Sequence, residues 1–504
     1  MAEQQLMIPI DYTINVNVSR EDAGLPTPNS SNIALLTTDK TTIEGAYGAY
    51  ITADDALKVV DGNSLTAKMI TALFGPDSTF RENNGQLFIV PVEATKEVQQ
   101  TIYEVTHTVE ETISYQVKKT DDQTLGYVKE QGDKDAAVAN EVQVYSDVEC
   151  TEASAVSAGS DYTYTGVLGT KEDVTTAYTS VEGESGAFVA AGTQLYSDAQ
   201  LTTPTVEASG SDYKYTGETQ QISKTVPAFT SASDLVTLVT NLKESVPYWG
   251  VLIDTFDFDF DMTDFFTYVD TQSWLYLYSV MNYTDIDLSE LKKTEGVYSG
   301  GDLQNTKQVI AAYASVGTSA NWEGSNTAIT MNLKSLSPIS APGKIDTTTL
   351  GQLQAKGISA YAVTANESRV YSHSNGGGYW DDKIGGIALT LQLQYNMYNL
   401  AANTKTKYGY NEAGILAFRN AAAKAWQQFI DNGFLTKGME WSGNTTFGDK
   451  EAFLRSIKEN GYYQYNAPIS SSTAQQRKSR RITIQGAGQS AGAIHFVTYN
   501  AILA

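Results

Sequence analysis

At 504 residues, with 41% hydrophobic and 18% charged side chains, the chain is too long for one enlarged core and too apolar for disorder along its whole length, so several folded domains are expected. A formal net charge of −24 excludes nucleic-acid phosphates and anionic membrane surfaces as partners of the chain as a whole, leaving room for a basic partner or a local basic patch. The single cysteine, Cys150, excludes an intrachain disulfide framework and a cysteine-based structural zinc site.

The opening residues Met1 to Gln5 carry no basic stretch followed by an apolar one, and no window approaches about 18 apolar residues, so the expectation is synthesis in a cytoplasm without membrane insertion. From Leu6 to Val18, Ile8, Ile10, Tyr12, Ile14, Val16 and Val18 alternate with other residues, the period of a strand. Helices are expected over Ala53 to Val60 and Ser64 to Phe74, the second closed by Gly75-Pro76, and a buried strand at Leu87 to Val90.

From about 97 to 225 the composition turns to Thr, Ser, Glu, Asp, Ala and Gly. Gln143 to Gly166 recurs without a gap as Gln194 to Gly217, at a constant offset of 196 − 145 = 51. Each copy joins a β-favourable run to a Gly-Ser-Asp turn, which predicts two small hairpin-containing units in an inserted surface module. After it, helical and strand patterns alternate: a helix over Ser233 to Leu242, strands at Val251 to Ile253 and Trp274 to Val280, helices over Asp302 to Tyr313 and Thr347 to Lys356, and a strand at Ile358 to Val363. Such alternation predicts α/β layers. Three further helices are expected, one from about Asp381 with Asp381 as cap, one from Asn411 to Asn432-Gly433, and one from Asp449 to Gly461. The last segment, from Arg481, reads as a Gly-punctuated strand.

Few residues carry chemistry. His107, His373 and His495 are far apart in sequence and read as isolated side chains, and Asp254, Asp257, Asp259, Asp261 and Asp264 fail the calcium-loop pattern because Met262 and Tyr268 stand where Gly and Glu are required. This run reads as an exposed, alternating Asp/Phe edge. Gly376-Gly377-Gly378 lacks a following Gly-Lys-Ser/Thr and reads as a lead into a helix. No catalytic, cofactor-binding or metal site is expected, and hence no enzyme. The sharpest charge feature is Arg477, Lys478, Arg480 and Arg481; in so acidic a chain they suit contact with an acidic surface, such as a neighbouring copy, or else form a solvated linker.

Three stretches resemble the sheath proteins of contractile (myovirus) phage tails. They are Ile8-Pro9-Ile10 with Ile14 to Ser19 and Asn32 to Leu36; Ala312-Tyr313 to Trp322 with Ile329 to Lys334; and Gly461 to Tyr465, Ala467-Pro468-Ile469 and Gly492-Ala493-Ile494-His495. The likeness omits the 97–225 stretch, and Arg480-Arg481-Ile482 departs from the apolar-proline lead into the family's last strand. It implies a multidomain α/β (α+β) sheath fold: an N-terminal arm over 1–20, an α/β core over 21–96 and 226–375, and an inserted β-rich domain over 97–225 with repeats at 138–166 and 189–217. The helical part of a C-terminal inner domain would span 376–480 and a C-terminal arm 481–504.

The resemblance further implies homo-oligomeric rings stacked around an inner tail tube, with baseplate and terminator proteins as partners, no nucleic acid and no cofactor. Ile8, Ile10, Tyr12, Ile14, Val16 and Val18 in one arm, and Ile482, Ile484, Ile494, Phe496 and Val497 in the other, would pair with neighbouring subunits. The location implied is a virion tail assembled in host cytoplasm. The Tyr/Thr-rich repeats also suit a second reading, a particle-borne adhesion or receptor-binding protein.

Overall fold

The computed structural model describes residues 29–75, 85–246, 249–342 and 345–495. The chain divides into two compact units, residues 1–94 with 228–504, and residues 95–227. The fold is mixed α/β.

The first unit is built on an eight-stranded sheet whose spatial order is Gly48–Tyr50, Leu87–Pro91, Ile33–Thr37, Val251–Asp254, Leu275–Val280, Thr294–Tyr298, Ile358–Thr364 and Glu367–Tyr371. The six inner strands run parallel, and each edge strand is antiparallel to its neighbour. Strands in such a sheet are covered on both faces and read as continuous apolar runs. Ile33–Thr37 shows why: Ile33 and Leu35 enter one core with helices Leu65–Phe74 and Leu303–Gly317, while Ala34 and Leu36 enter another with helices Ala232–Lys243 and Thr263–Asp270. The helices open on side-chain caps, Ser64 accepting from the Ala67 amide and Asp302 from the Asn305 amide.

Helices Trp380–Ala402, Glu412–Asp431 and Lys450–Asn460 follow. Asn411 caps the second and Asp449 the third, and Gly461 ends the third at φ 81°. The first departs from expectation. Its cap is Tyr379, whose amide donates to Asp382, so Asp381 lies inside the first turn. Trp380 is fully buried and donates its indole N–H to the Gly317 carbonyl at 2.7 Å, which fixes where this helix meets Leu303–Gly317.

The second unit is a sheet organised by three long strands, Thr95–Lys119, Tyr162–Thr179 and Lys214–Pro227. Two small cores lie along it. Val117, Val128, Val138, Val144, Tyr162 and Tyr164 form one; Val105, Ala177, Val189, Leu195, Ala208, Tyr213 and Tyr215 form the other. Val138/Val189, Val144/Leu195, Tyr162/Tyr213 and Tyr164/Tyr215 occupy equivalent positions at the 51-residue offset. Their hydrogen bonds repeat as well: the Tyr164 hydroxyl donates to the Glu130 carbonyl at 3.1 Å and that of Tyr215 to the Val181 carbonyl at 3.0 Å.

The Asp/Phe edge is only partly exposed. Phe256, Phe258 and Phe260 pack in a ladder with ring centroids 5.4 and 5.1 Å apart, and Asp254, the last residue of its strand, is buried. Lys307, reaching in from helix Leu303–Gly317, meets it at 2.6 Å, and the Tyr276 hydroxyl and Phe256 amide also donate to it. A buried carboxylate is tolerated only when so paired.

Candidate assembly site

The C-terminal part of the first unit packs around Trp426 of helix Glu412–Asp431. Its indole stacks on Tyr462 at 5.9 Å and 4° between planes, and Trp322 stacks on Phe429 one turn further along at 5.4 Å and 8°. Over the indole runs a short strand, Gln485–Gly488, antiparallel to Tyr462–Tyr465. Gly486 and Gly488 allow this approach, since a Cβ at either would stand 2.7 or 2.8 Å from the Trp426 ring. The pair is a two-stranded sheet of its own; among the described residues no further strand joins either edge, and on the outer edge of Tyr462–Tyr465 the Tyr462 and Gln464 carbonyls accept from Ser456 and Arg419.

Beyond it the chain stays attached to the unit. The Gln489 amide donates to the Gly461 carbonyl at 3.1 Å, and its side-chain oxygen accepts from the Ser442 amide at 3.1 Å. Ala491 donates to the Phe434 carbonyl at 2.9 Å, and the Ser490 hydroxyl to Asp382 at 3.0 Å. His495 ends the described segment against the junction between sheet and helices. Its ring stands edge-on to Tyr379 with centroids 4.2 Å apart, Nε2 lies 2.8 Å from the Thr330 hydroxyl, and its carbonyl accepts from the Asn332 amide group at 3.4 Å. Burial holds its pKa below the ordinary histidine range.

Behind this junction lies a second buried ion pair. Glu295, fully buried on strand Thr294–Tyr298, accepts from Lys383 Nζ, from the Ser359 hydroxyl at 2.7 Å and from the Tyr313 hydroxyl at 3.2 Å. Burial, reinforced by the Glu295 charge, drives the Tyr313 pKa far up. The pair joins the α/β sheet to the first of the C-terminal helices. No local sequence signal announces it, because its partners are separated by 88 positions.

The basic residues lie on an exposed surface. Arg477 and Lys478 occupy the short helix Ala474–Ser479, Arg480 closes it in the left-handed region at φ 57°, and the Arg481 carbonyl accepts from Tyr410. Among the described residues none of the four forms an ion pair. Of the apolar arm residues, Ile482 and Ile484 are half-buried but precede the strand instead of belonging to it, and Ile494 is 86% exposed. The expected strand from Arg481 onward is thus reduced to four residues, placed where Gly486 and Gly488 can lie on Trp426 and left before Gly492 turns the chain at φ 64°. Ile8, Ile10, Tyr12, Ile14, Val16, Val18, Phe496 and Val497 lie outside the described residues.

His107 lies beside Tyr213 in the second unit, while His373 is buried at the sheet end with Nδ1 donating to the Ile358 carbonyl at 2.6 Å. Among the described residues no group of three or more His, Cys, Asp or Glu could hold a metal ion, and no helix is long and apolar enough to cross a membrane.

Residues 380–502 match the family described as E217 tail sheath protein gp31-like, C-terminal domain. No curated protein matches the chain. Among solved structures, the anti-feeding prophage baseplate chain matches at 9% identity and TM-score 0.48, covering 97% of this chain and 99% of that one. The sheath tail protein Lin1278 from Listeria innocua matches at 10% and 0.42, covering 94% and 97%. The sheath tail protein DSY3957 from Desulfitobacterium hafniense matches at 10% and 0.41, covering 84% and 90%.

Proposed function

We infer that this chain, whose residues 380–502 form a C-terminal domain of the tail-sheath family, is the structural subunit of a contractile tail sheath. The family match carries the reading. It begins at the residue where helix Trp380–Ala402 begins and takes in the Trp426 cluster, the two-stranded sheet and the gripped segment up to His495.

In this reading the subunits polymerise as rings stacked around an inner tail tube, bounded by baseplate and terminator proteins, in a particle assembled in the host cytoplasm. The two-stranded sheet supports such a role. Four-residue strands in a pair are marginal alone, and the outer edge of Gln485–Gly488 offers main-chain donors and acceptors to a strand from a neighbouring copy, whereas the Tyr462 and Gln464 carbonyls on the other edge already accept from Ser456 and Arg419. The arm around Ile8 to Val18 and, of the expected C-terminal arm over 481–504, the part beyond His495 are the segments we assign to that exchange. Contraction then needs no nucleotide, because two packings of the same subunits differ in free energy and release drives one into the other.

Arg477, Lys478, Arg480 and Arg481 we assign to contact with an acidic surface on a neighbouring copy. Residues 95–227, with 8 Lys against 22 Asp and Glu, would decorate the outside of the particle. Electron microscopy of the purified recombinant chain, with and without mild heating, tests the reading. Hollow striated tubes are expected, and deletion of residues 1–20 is expected to abolish them; monodisperse monomers under all conditions would overturn it.

A further inference from the structure

The geometry points to a receptor for the start of the C-terminal arm: we propose that Thr330, Asn332, Tyr379 and Asp381 grip His495 and make it the fixed pivot of that arm. Residues up to His495 then stay with their own subunit, and strand exchange begins only beyond it. This rests on the sheath reading for the existence of exchange, but the grip itself is a property of the single chain.

Three observations carry it. The first is that the hold is polar and specific where hydrophobicity would predict the reverse. Ile494 is 86% exposed, yet the adjacent His495 is held through its ring, its Nε2 and its carbonyl by three different side chains. Apolar collapse would have buried the isoleucine. The grip therefore depends on matched partners, which is what a pivot requires.

The second is the proton arrangement. The Thr330 hydroxyl has one proton and two neighbours, His495 Nε2 at 2.8 Å and Asp381 Oδ1 at 3.4 Å. Donation to the carboxylate is the stronger choice, so Nε2 must carry the hydrogen and donate to the Thr330 oxygen. Nδ1 is buried without a partner, which suits a bare ring nitrogen better than an N–H and opposes the imidazolium. A chain runs from imidazole through hydroxyl to carboxylate, each group fixed by the next. Tyr379 and Asp382 are the other ionisable groups facing it, and Asp382 is engaged by Ser490 on the same arm segment.

The third is the freedom built in on the near side. Gly492 adopts φ 64° with no atom within 4 Å of where a Cβ would stand, so the chain turns there in open space between two attachments, Ala491 on Phe434 and His495 on Thr330. Two attachments across an open turn hold the direction in which the chain leaves.

Selective 15N-histidine NMR on the unassembled full-length chain tests the grip, with three histidines to assign. His495 is expected to show a neutral Nε2–H tautomer whose ring proton exchanges at least tenfold slower than in a free peptide, and Thr330→Val is expected to abolish that protection while the His373 signal is unchanged. A ring proton exchanging at the free-peptide rate in the unsubstituted chain overturns the proposal.

The second readout is the critical concentration for tube formation, expected to rise about tenfold or more in Thr330→Val and in His495→Ala. Loss of the protected resonance with an unchanged critical concentration also overturns the pivot. If the unsubstituted chain forms no tubes, the sheath reading fails and the pivot with it, while the NMR result still decides the grip.

Discussion

Asp381 stands in the first turn of helix Trp380–Ala402, where burial and then the Asp382 charge push its pKa up to about 6. An unfolded chain would titrate near 3.9. Because the folded value is the higher, the stability linked to this group is fully present below about pH 4 and is lost as pH rises through 6. Asp381→Asn removes that loss, and is expected to raise stability at pH 7 by about 1–3 kcal/mol while flattening the pH 4–6 limb of a urea-midpoint profile. The buried pairs act in the other direction. Lys383→Met leaves the Glu295 carboxylate uncompensated and is expected to cost about 3–5 kcal/mol in urea denaturation, much of it recovered by adding Glu295→Gln.

Elements with a local signal were legible in the sequence: Leu65–Phe74 between its Ser64 cap and Gly75, Lys450–Asn460 between Asp449 and Gly461, and Val251–Asp254 as an apolar run. Elements that exist because of distant partners were not. Strand Thr294–Tyr298 carries Thr and Glu at its start and shows no alternation, since Lys383 is what admits Glu295 to the sheet. The strand at Gln485–Gly488 is equally unreadable, because its glycines weaken β-propensity and are explained only by the Trp426 ring beneath them. Gly486→Ala with Gly488→Ala is expected to destabilise this sheet by about 1–3 kcal/mol through overpacking. Trp426→Phe in the same chain removes the clashing atoms and should restore part of the loss, a coupling that a double-mutant cycle reads directly. At the candidate site composition and resemblance singled out the basic residues and Ile482, Ile484 and Ile494, whereas the side chains that meet at His495, Thr330 and Tyr379 with Asp381 behind Thr330, were not singled out as a group. Nothing in sequence links positions 330, 379 and 495.

At the scale of the whole molecule, residues 95–227 form a compact unit of their own whose two cores are internally repeated, and the strands flanking them leave the first unit at neighbouring points, the Ala228 amide donating to the Ala94 carbonyl at 2.9 Å. A short loop can therefore close the gap at small entropic cost. Replacing residues 95–227 with such a loop is expected to leave the melting transition of the remaining unit within a few degrees, measured by calorimetry; an insoluble product would show that the second unit is required. The same connectivity sets an order of events during synthesis. Ile33–Thr37 pairs on one side with Leu87–Pro91, but its other neighbour, Val251–Asp254, begins 251 − 91 = 160 positions after that strand ends. At about 5–20 residues per second, the ribosome delivers it roughly 8–30 s later. For that interval this inner strand of the sheet has one open side, and what emerges meanwhile is the acidic stretch that forms the other compact unit, chain that adds nothing to the unfinished core.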